Sequence, residues 1–322
     1  MMTQNLEEQL RQAIREKKHA RRTEEAYLDW YRRFVAFHGQ RHPSRLSAAE
    51  VNHFLIHLKL QRKAADATLL QAQHALGFFF REILHRDLPE LRVTQRVRRE
   101  KRFPTVLSQE EAQRLLETVT GEAALPSRLI YGTGMRVNEA LRLRSQDVDF
   151  EEGTLAVRGE DEQVQREVLL PKVLEGALRE QLAFNRRLFE ADRRECFLPL
   201  PMPDHMDGSV ALLGQTWEWF WVFPSKHLAH EGGSTKAIRN HLHANSVNRC
   251  LREAAKLANI ATRPSAAILR HSYALHLLMS GVHLDDLQKA LGHRDRRTTE
   301  VYRQLMKELR KKLESPLDLF AA

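Results

Sequence analysis

Two arginines, a histidine and a tyrosine follow one another between positions 136 and 302. They are Arg136 after Gly132-Thr133-Gly134, Arg270 in Arg270-His271-Ser272, His293 in Leu291-Gly292-His293, and Tyr302 after Thr298-Thr299. A guanidinium matches the oxygens of a phosphate, an imidazole can donate a hydrogen bond, and a phenol can attack phosphorus. These residue types are sufficient to cut a phosphodiester bond without a metal ion.

Each of these residues also has an ordinary structural interpretation. Arg136 could be a surface arginine paired with Glu139, and Arg270 could be a structural cation at the start of a buried helix. His293 could cap a helix in a turn, and Tyr302 could be a half-buried core tyrosine. The ordered combination, with two threonines shortly before the tyrosine, argues against coincidence and favours a catalytic site.

The composition indicates a globular protein with an acidic partner. With 322 residues the chain can bury two separate cores, and its 42% hydrophobic and 29% charged residues are ordinary for globular proteins. A formal net charge of +9 and a pI near 9.7 favour nucleic acid as the partner. The two cysteines, Cys196 and Cys250, exclude a disulfide framework and a thiolate metal cluster.

The sequence also limits the cellular setting and the chemistry. We see no leader and no apolar run of membrane-spanning length, so we expect a bacterial cytoplasmic protein, associated with the nucleoid when bound, and no membrane partner. No carboxylate cluster accompanies the four residues above, which disfavours a metal-dependent nuclease. We therefore expect no metal and no cofactor.

The N-terminal part is predicted to be helical. Residues 1–91 carry apolar side chains at helical spacing, and residues 47–50 predict a capping box. Residues 92–107 form a basic interdomain linker, whose cations could be simply solvated or could lie along a phosphate backbone. The candidate DNA-binding cations of this linker are Arg96, Arg98, Arg99, Lys101 and Arg102.

The remaining part, residues 108–322, is predicted to be a larger and mainly α-helical domain. Its exceptions are short strands at 153–157 and 167–170, which predict a small antiparallel sheet around a polar turn. An aromatic insert lies near 203–243, and a C-terminal tail occupies 305–322. The predicted fold class is therefore mainly α, with two domains and one small sheet.

Together these motifs resemble those of the tyrosine recombinases of the phage-integrase family, and within them the integron integrases. The resemblance extends along nearly the whole chain. Residues 37–39, 131–136, 217–223, 270–302 and 315–318 carry it most clearly. It implies the tyrosine recombinase fold, in which a helical domain that binds core DNA precedes an α-rich catalytic domain with a small antiparallel sheet.

The resemblance also implies site-specific DNA recombination. Tyr302 would attack the scissile phosphate and form a 3′-phosphotyrosyl link with release of a 5′-hydroxyl. Arg136 and Arg270 would hold the phosphoryl oxygens, and His293 would donate a hydrogen bond. A partner strand would then reverse the reaction. Four protomers on two synapsed DNA sites, a homotetramer, would in this way integrate or excise DNA cassettes.

Two positions depart from the family's pattern. Ala267 stands where the family has a histidine, and Asp161 stands where it has a lysine in the strand turn. Losing one such group costs on the order of 10²–10⁴ in rate. His271 is about 40° from the direction required of a substitute, so we expect no rescue from it. The alternative function is therefore a catalytically impaired homologue that only binds recombination-site DNA.

The aromatic segment 217–223 resembles the insert with which integron integrases grip bases flipped out of a folded single-stranded hairpin site. Stacking on an unpaired base contributes about 1–3 kcal/mol. For Trp221 and Phe223, a hydrophobic strand in the core is an equal alternative. The candidates for DNA recognition in this region are Trp217, Trp219, Arg239 and His241.

Overall fold

The computed structural model describes residues 2–17, 19, 21–88, 103–159, 161–195, 197, 199–200, 213–230 and 237–311. The chain divides into two compact units, Met1–Arg102 and Phe103–Ala322. All five candidate DNA-binding cations of the linker lie outside the described residues. So do residues 201–212 and 231–236 of the insert region and the end of the tail from residue 312 onward.

The first unit consists, over its described residues, of four α-helices around an aromatic core. They are α1 (Met2–Glu16), α2 (Arg21–Phe37), α3 (Ala48–Leu60) and α4 (Asp66–Glu82), with a 3-10 turn at Pro43–Arg45. Phe34 on α2 and Phe79 on α4 are fully buried. At the start of α3, Glu50 Oε2 accepts from the Ser47 backbone at 2.7 Å, which is the predicted capping box. The helical prediction for this part of the chain is confirmed.

The second unit is also mainly helical over its described residues. Its helices are α5 (Gln109–Thr118), α6 (Ala124–Thr133), α7 (Val137–Leu141), α8 (Glu175–Arg194), α9 (Ala244–Leu257), α10 (Ala266–Met279), α11 (Leu284–Leu291) and α12 (Arg296–Lys311). Helix α10 packs against α6, α11 and α12, and Leu269 and Ala274 on it are fully buried. None of the described helices is both long enough and apolar enough to cross a membrane.

A three-stranded antiparallel sheet lies between α7 and α8. Its strands are β1 (Val148–Asp149), β2 (Thr154–Arg158) and β3 (Val164–Leu169), in the order β1-β2-β3. Leu155 opposite Val168 and Val157 opposite Arg166 give the register of the β2–β3 pair. A second, two-stranded sheet joins β4 (Ala229–His230) to β5 (Ala237–Ile238). The predicted small antiparallel sheet is confirmed.

The aromatic segment 217–223 is made of turns and isolated bridges rather than a strand. Its backbone is tied to the connection after α7, where the Ser145 N–H donates to Phe220 O at 2.9 Å. The Val222 N–H donates to Leu143 O, also at 2.9 Å. The segment is thus fixed by contacts distant in sequence, and its side chains do not follow the alternation of a strand.

Candidate active site

The turn between α6 and α7 brings Arg136 to the edge of the site. After Thr133, Gly134 takes the left-handed conformation (φ 68°) that glycine adopts without strain. A Cβ there would lie 2.4 Å from the Tyr273 ring, so the packing also requires glycine. Arg136 Nη1 donates to Glu139 Oε1 at 2.6 Å. The Arg136 side chain is 51% exposed, which leaves its guanidinium open to a ligand.

Glu139 gathers three arginines around one carboxylate. Besides Arg136, it accepts from Arg166 Nη1 at 3.2 Å and from Nη2 at 2.8 Å, and Arg270 Nη1 lies 3.7 Å from Oε2. Burial alone would raise the pKa of Glu139, but the hydrogen bonds from Arg166 and Arg136 outweigh it and hold that pKa at about 2. The carboxylate is therefore ionised at neutral pH and fixes the arginines in place.

Arg270, in the second turn of α10, is almost fully buried. Its Nη1 donates to Gly134 O at 2.7 Å, and its Nη2 donates to Leu291 O at 2.8 Å. Burial, and then the neighbouring Arg136, lower the pKa of Arg270 to about 10, so it keeps its charge at neutral pH. The backbone ends of α6 and α11 thus orient this guanidinium.

His293 follows Gly292, which ends α11 in a left-handed conformation. Its Nε2 lies 3.1 Å from Arg270 Nη2 and its Nδ1 lies 3.0 Å from Thr299 Oγ1. Because arginine can only donate, Nε2 is the acceptor and Nδ1 carries the proton. Burial, followed by Arg270 and the other nearby arginines, lowers the pKa of His293 to about 4. In this arrangement the imidazole is neutral, and it accepts from Arg270 through Nε2.

Tyr302, on α12, closes the site. It is only 3% exposed, and its ring lies parallel to that of His293 at a centroid distance of 6.5 Å. Its hydroxyl lies 2.7 Å from His271 Nδ1. Burial raises the pKa of Tyr302, while Arg270 and then Arg136 oppose that rise. The structure therefore gathers all four residues singled out in the sequence around one centre.

His271 contacts Tyr302 in the structure, although its direction, about 40° from that required of a substitute, argued against a part for it in the site. That expectation compared the direction of His271 with that of Ala267, an exposed residue one turn earlier on α10. Helix α12 packs along α10. Tyr302 on α12 therefore contacts His271, which lies one turn after Ala267 on α10. Positions i and i+4 share a helix face, and this spacing from Ala267 is the signal that could have revealed His271.

The two positions that depart from the family's pattern provide no replacement acid in this structure. Asp161 is exposed in the turn between β2 and β3, where its Oδ1 accepts from the Gln163 backbone at 3.2 Å. Of the nearby cations, Arg158 Nε donates to Asp147 at 2.7 Å, and Arg166 is bound to Glu139. Both are held in ion pairs.

The expectation that Trp219 faces DNA is wrong for this structure. Trp219 is 2% exposed, and the buried Arg144 guanidinium lies 4.5 Å from its ring centroid and 3.3 Å from that of Trp221. Trp221 and Phe223 are buried as well, as their core interpretation predicts. Trp219, Trp221 and Phe223 are two or four positions apart, so the alternation of a β-strand would place all three on the same face and could not distinguish a residue that faces DNA from one in the core. The turns of the segment and the cation between the rings decide their burial.

Arg239 and His241, two further candidates for DNA recognition, are engaged within the protein. Arg239 binds both carboxylate oxygens of Asp192, at 2.5 and 2.7 Å, and its side chain is 11% exposed. His241 Nδ1 donates to Leu242 O at 2.8 Å, and its ring packs edge-on against Trp221. A bidentate ion pair of this kind leaves few donors for a phosphate.

Trp217 remains a candidate for DNA contact. It is half-buried, its ring stacks on Phe220 at 6.1 Å, and the Arg186 guanidinium lies 5.2 Å from its centroid. A partly exposed aromatic face beside a cation is suited to stacking on a base.

Comparison with known proteins agrees with this architecture. The family profile described as "Phage integrase family" matches residues 105–308, and "Phage integrase, N-terminal SAM-like domain" matches residues 6–90. Proteins described as integrase/recombinase in Escherichia coli and in Pseudomonas aeruginosa are each 38% identical over 311 residues, or 97% of this chain and 92% of theirs. The chain therefore belongs to the phage integrase family of tyrosine recombinases.

A solved structure supports the same fold. The crystal structure of the XerH site-specific recombinase bound to a palindromic difH substrate has a TM-score of 0.58 and 21% sequence identity. The similarity covers 89% of this chain and 78% of that chain. The mainly helical architecture with small antiparallel sheets is thus that of the tyrosine recombinases. In the described part of the chain, no group of histidine, cysteine or acidic side chains could hold a metal ion.

Proposed function

We propose that this protein is a site-specific recombinase that cuts and rejoins DNA strands through Tyr302. The observation that carries the proposal is the convergence of four side chains on one centre: Tyr302, His293, Arg270 and Arg136. The Arg270 guanidinium lies 3.1 Å from His293 Nε2, and the Tyr302 ring is parallel to the His293 ring. Membership of a family of recombinases supports the same reaction.

The residues would divide the work as follows. The half-exposed Arg136 and the buried Arg270 would bind the non-bridging oxygens of the scissile phosphate, because a guanidinium keeps its charge and presents paired donors. Tyr302 Oη would attack phosphorus and form the 3′-phosphotyrosyl link. His293 would donate to the phosphate from Nε2 once DNA displaces Arg270 and the ring proton changes from Nδ1 to Nε2, and the Thr299 hydroxyl would then donate to Nδ1. The 5′-hydroxyl of a second strand would reverse the attack, so bond energy is conserved.

We further propose an integron-type role, in which a homotetramer integrates or excises DNA cassettes at sites that include folded single-stranded hairpins. Support comes from the resemblance of the aromatic insert and from the partly exposed Trp217 beside Arg186. The first unit would bind core DNA, and the basic residues between 96 and 102 would follow the phosphate backbone. The chain would act in the bacterial cytoplasm, at the nucleoid when bound.

A covalent-trapping assay tests this function. The protein is incubated with a nicked, folded hairpin carrying an integron-type core site and run on a denaturing gel beside Tyr302→Phe. We expect a shifted protein–DNA band from the native chain that is absent in the variant. A band that persists in Tyr302→Phe would assign the nucleophile to another residue.

The second candidate function is binding of recombination sites without cleavage. It is favoured by Asp161 and Ala267, which offer neither the lysine nor the histidine of the family's pattern. A native gel that shows site binding, together with a denaturing gel that shows no covalent band, would establish it. Restoring Asp161→Lys together with Ala267→His should then raise cleavage at least about tenfold, because both add a donor near the phosphate.

A further inference from the structure

His271 and Tyr302 form a pair that the mechanism above leaves unused. His271 Nδ1 lies 2.7 Å from Tyr302 Oη, which is a short hydrogen-bond distance between a nitrogen and a hydroxyl oxygen. The ring centroids are 5.9 Å apart, and Tyr302 is almost fully buried. A phenol at neutral pH is a weak nucleophile until its proton has a place to go. His271 Nδ1, the atom in contact with the reacting oxygen, is therefore placed to receive that proton.

The surroundings of His271 keep its ring able to accept a proton. It is half-buried on α10 next to Arg270, and burial, followed by the Arg270 charge, lowers the pKa of His271. The neutral imidazole has one bare nitrogen. With Nδ1 as that nitrogen, the hydroxyl of Tyr302 donates to it, and the transfer of the proton needs no rearrangement.

The other histidine at this centre is already occupied. His293 Nε2 accepts from Arg270 and His293 Nδ1 donates to Thr299, so neither nitrogen faces Tyr302 Oη with a lone pair. One turn before His271, Ala267 offers only a methyl group. Among the described residues, His271 is therefore the base that the structure places against the reacting oxygen.

We propose that His271 is the proton acceptor for Tyr302 in strand cleavage, a further catalytic residue whose role rests on the recombinase function proposed above. As the Oη–phosphorus bond forms, the hydroxyl proton passes to His271 Nδ1. The bond from phosphorus to O5′ breaks, and the leaving oxygen takes a proton from solvent. In rejoining, the attacking 5′-hydroxyl gives its proton to solvent, the Oη–phosphorus bond breaks, and Nδ1 returns its proton to Oη.

The first test measures single-turnover formation of the covalent complex on a nicked duplex or hairpin site. The variants are His271→Ala and Tyr302→Phe, with His283→Ala, an exposed histidine on the adjoining loop, as the matched control. We expect His271→Ala to slow cleavage by on the order of 10²–10⁴ with unchanged DNA binding. Added imidazole should restore part of the rate to His271→Ala and none to Tyr302→Phe, because the vacated space can admit a free base.

A substrate with sulfur in place of the bridging O5′ separates the two proton transfers. A thiolate leaves without protonation, so this substrate relieves any defect on the leaving-group side. We expect His271→Ala to be slowed by the same factor on the sulfur and the oxygen substrates. A defect that vanishes on the sulfur substrate would make His271 an acid for the leaving group and overturn its assignment as acceptor.

One measurement on the native chain decides the proposal even where His271→Ala folds poorly. Nitrogen NMR of the His271 ring in the native chain should show a bare Nδ1 whose signal shifts in Tyr302→Phe; a protonated Nδ1 would overturn the proposal without any cleavage assay. Native-like cleavage by His271→Ala, with Tyr302→Phe inactive, would overturn the role of His271 alone. The absence of a covalent complex from the native chain would instead refute strand cleavage itself, and the acceptor role with it.

Discussion

At the scale of single residues, Glu139 decides how the positive charges of the site are held. It accepts from Arg136 and Arg166, and it lies within 3.7 Å of Arg270. The short motifs around Arg136 and Arg270 were sufficient to select these two arginines as candidates, because such motifs consist of neighbouring residues in the chain. The role of Glu139 was not predictable in the same way, since Arg166 comes from β3 and Arg270 from α10.

Glu139 gives a prediction about stability and pH. Its pKa in the folded protein, about 2, lies below its ordinary value of 4.5. A depressed pKa stabilises the fold above the ordinary value, and the contribution is lost as pH falls toward the folded value. We expect Glu139→Gln to cost about 3 kcal/mol at pH 7. Urea unfolding should show that the free-energy cost of Glu139→Gln at pH 3 is about half of its cost at pH 7.

The matched control for this measurement is Glu167→Gln, on the exposed face of β3. Its unfolding free energy should follow that of the native protein across the same pH range. A cost for Glu139→Gln that stayed constant from pH 7 to pH 3 would contradict the assigned role of the ionised carboxylate.

At the scale of elements, local signals predicted the helix starts and long-range contacts determined the aromatic segment. The capping box predicted at Ser47 is formed, and a second one is present at Ser108; each involves residues only three apart, so it can be read from the local sequence. The segment 217–223 could not be predicted in this way. Its backbone partners Ser145 and Leu143 lie 75 and 79 positions before Phe220 and Val222, and a period-two pattern carries no information about them.

The turn before Arg136 gives the second prediction. Gly134 and Gly153 have nearly the same left-handed φ, 68° and 66°, but only at Gly134 would a Cβ meet neighbouring atoms, at 2.4 Å from the Tyr273 ring. Gly153→Ala should cost about 1–2 kcal/mol for the backbone conformation. Gly134→Ala should cost about 1–3 kcal/mol more, because Tyr273 must also move. Thermal or urea unfolding measures both, and equal costs would contradict the close packing.

The aromatic segment gives the third prediction. Trp219→Ala should destabilise the protein by about 3–5 kcal/mol, because it leaves a cavity beside the buried Arg144. Trp217→Ala should cost less than about 2 kcal/mol and should weaken binding to a bulged hairpin more than binding to plain duplex. Urea unfolding and gel-shift titrations measure the two effects. If Trp217→Ala reduced binding to both DNAs equally, the role of Trp217 in base stacking would be excluded.

At the scale of the whole molecule, the strong positive charge and the two compact units agree with a protein that holds a long polyanion. Net charge is a sum over the sequence and needs no structure. Which cations remain available for DNA is a different question. Arg158, Arg166 and Arg239 are bound to carboxylates inside the second unit, so they cannot be counted simply as DNA-binding residues.

The linker gives the fourth prediction. If Arg98 and Arg99 contact phosphates, replacing both with alanine should reduce the slope of log K against log salt by roughly 2, since each contact contributes about 0.9. The loss should be similar for all DNA sequences. Fluorescence anisotropy at several salt concentrations measures it, with Lys172→Ala in the second unit as the control. An unchanged slope would make the linker a solvated connection only.

By itself the sequence determined the helical fold class and the start of helix α3, and it selected four candidate site residues, because these depend on local spacing and on short motifs in the chain. Tertiary structure alone decided that His271 touches Tyr302, that Glu139 joins three arginines, that Trp219 is buried, and that Arg239 is held by Asp192. The physical reason is the same in each case. These hydrogen bonds and this burial arise from contacts between segments far apart in sequence. A periodic pattern predicts only the direction in which a side chain points, not which residue of another segment will contact it.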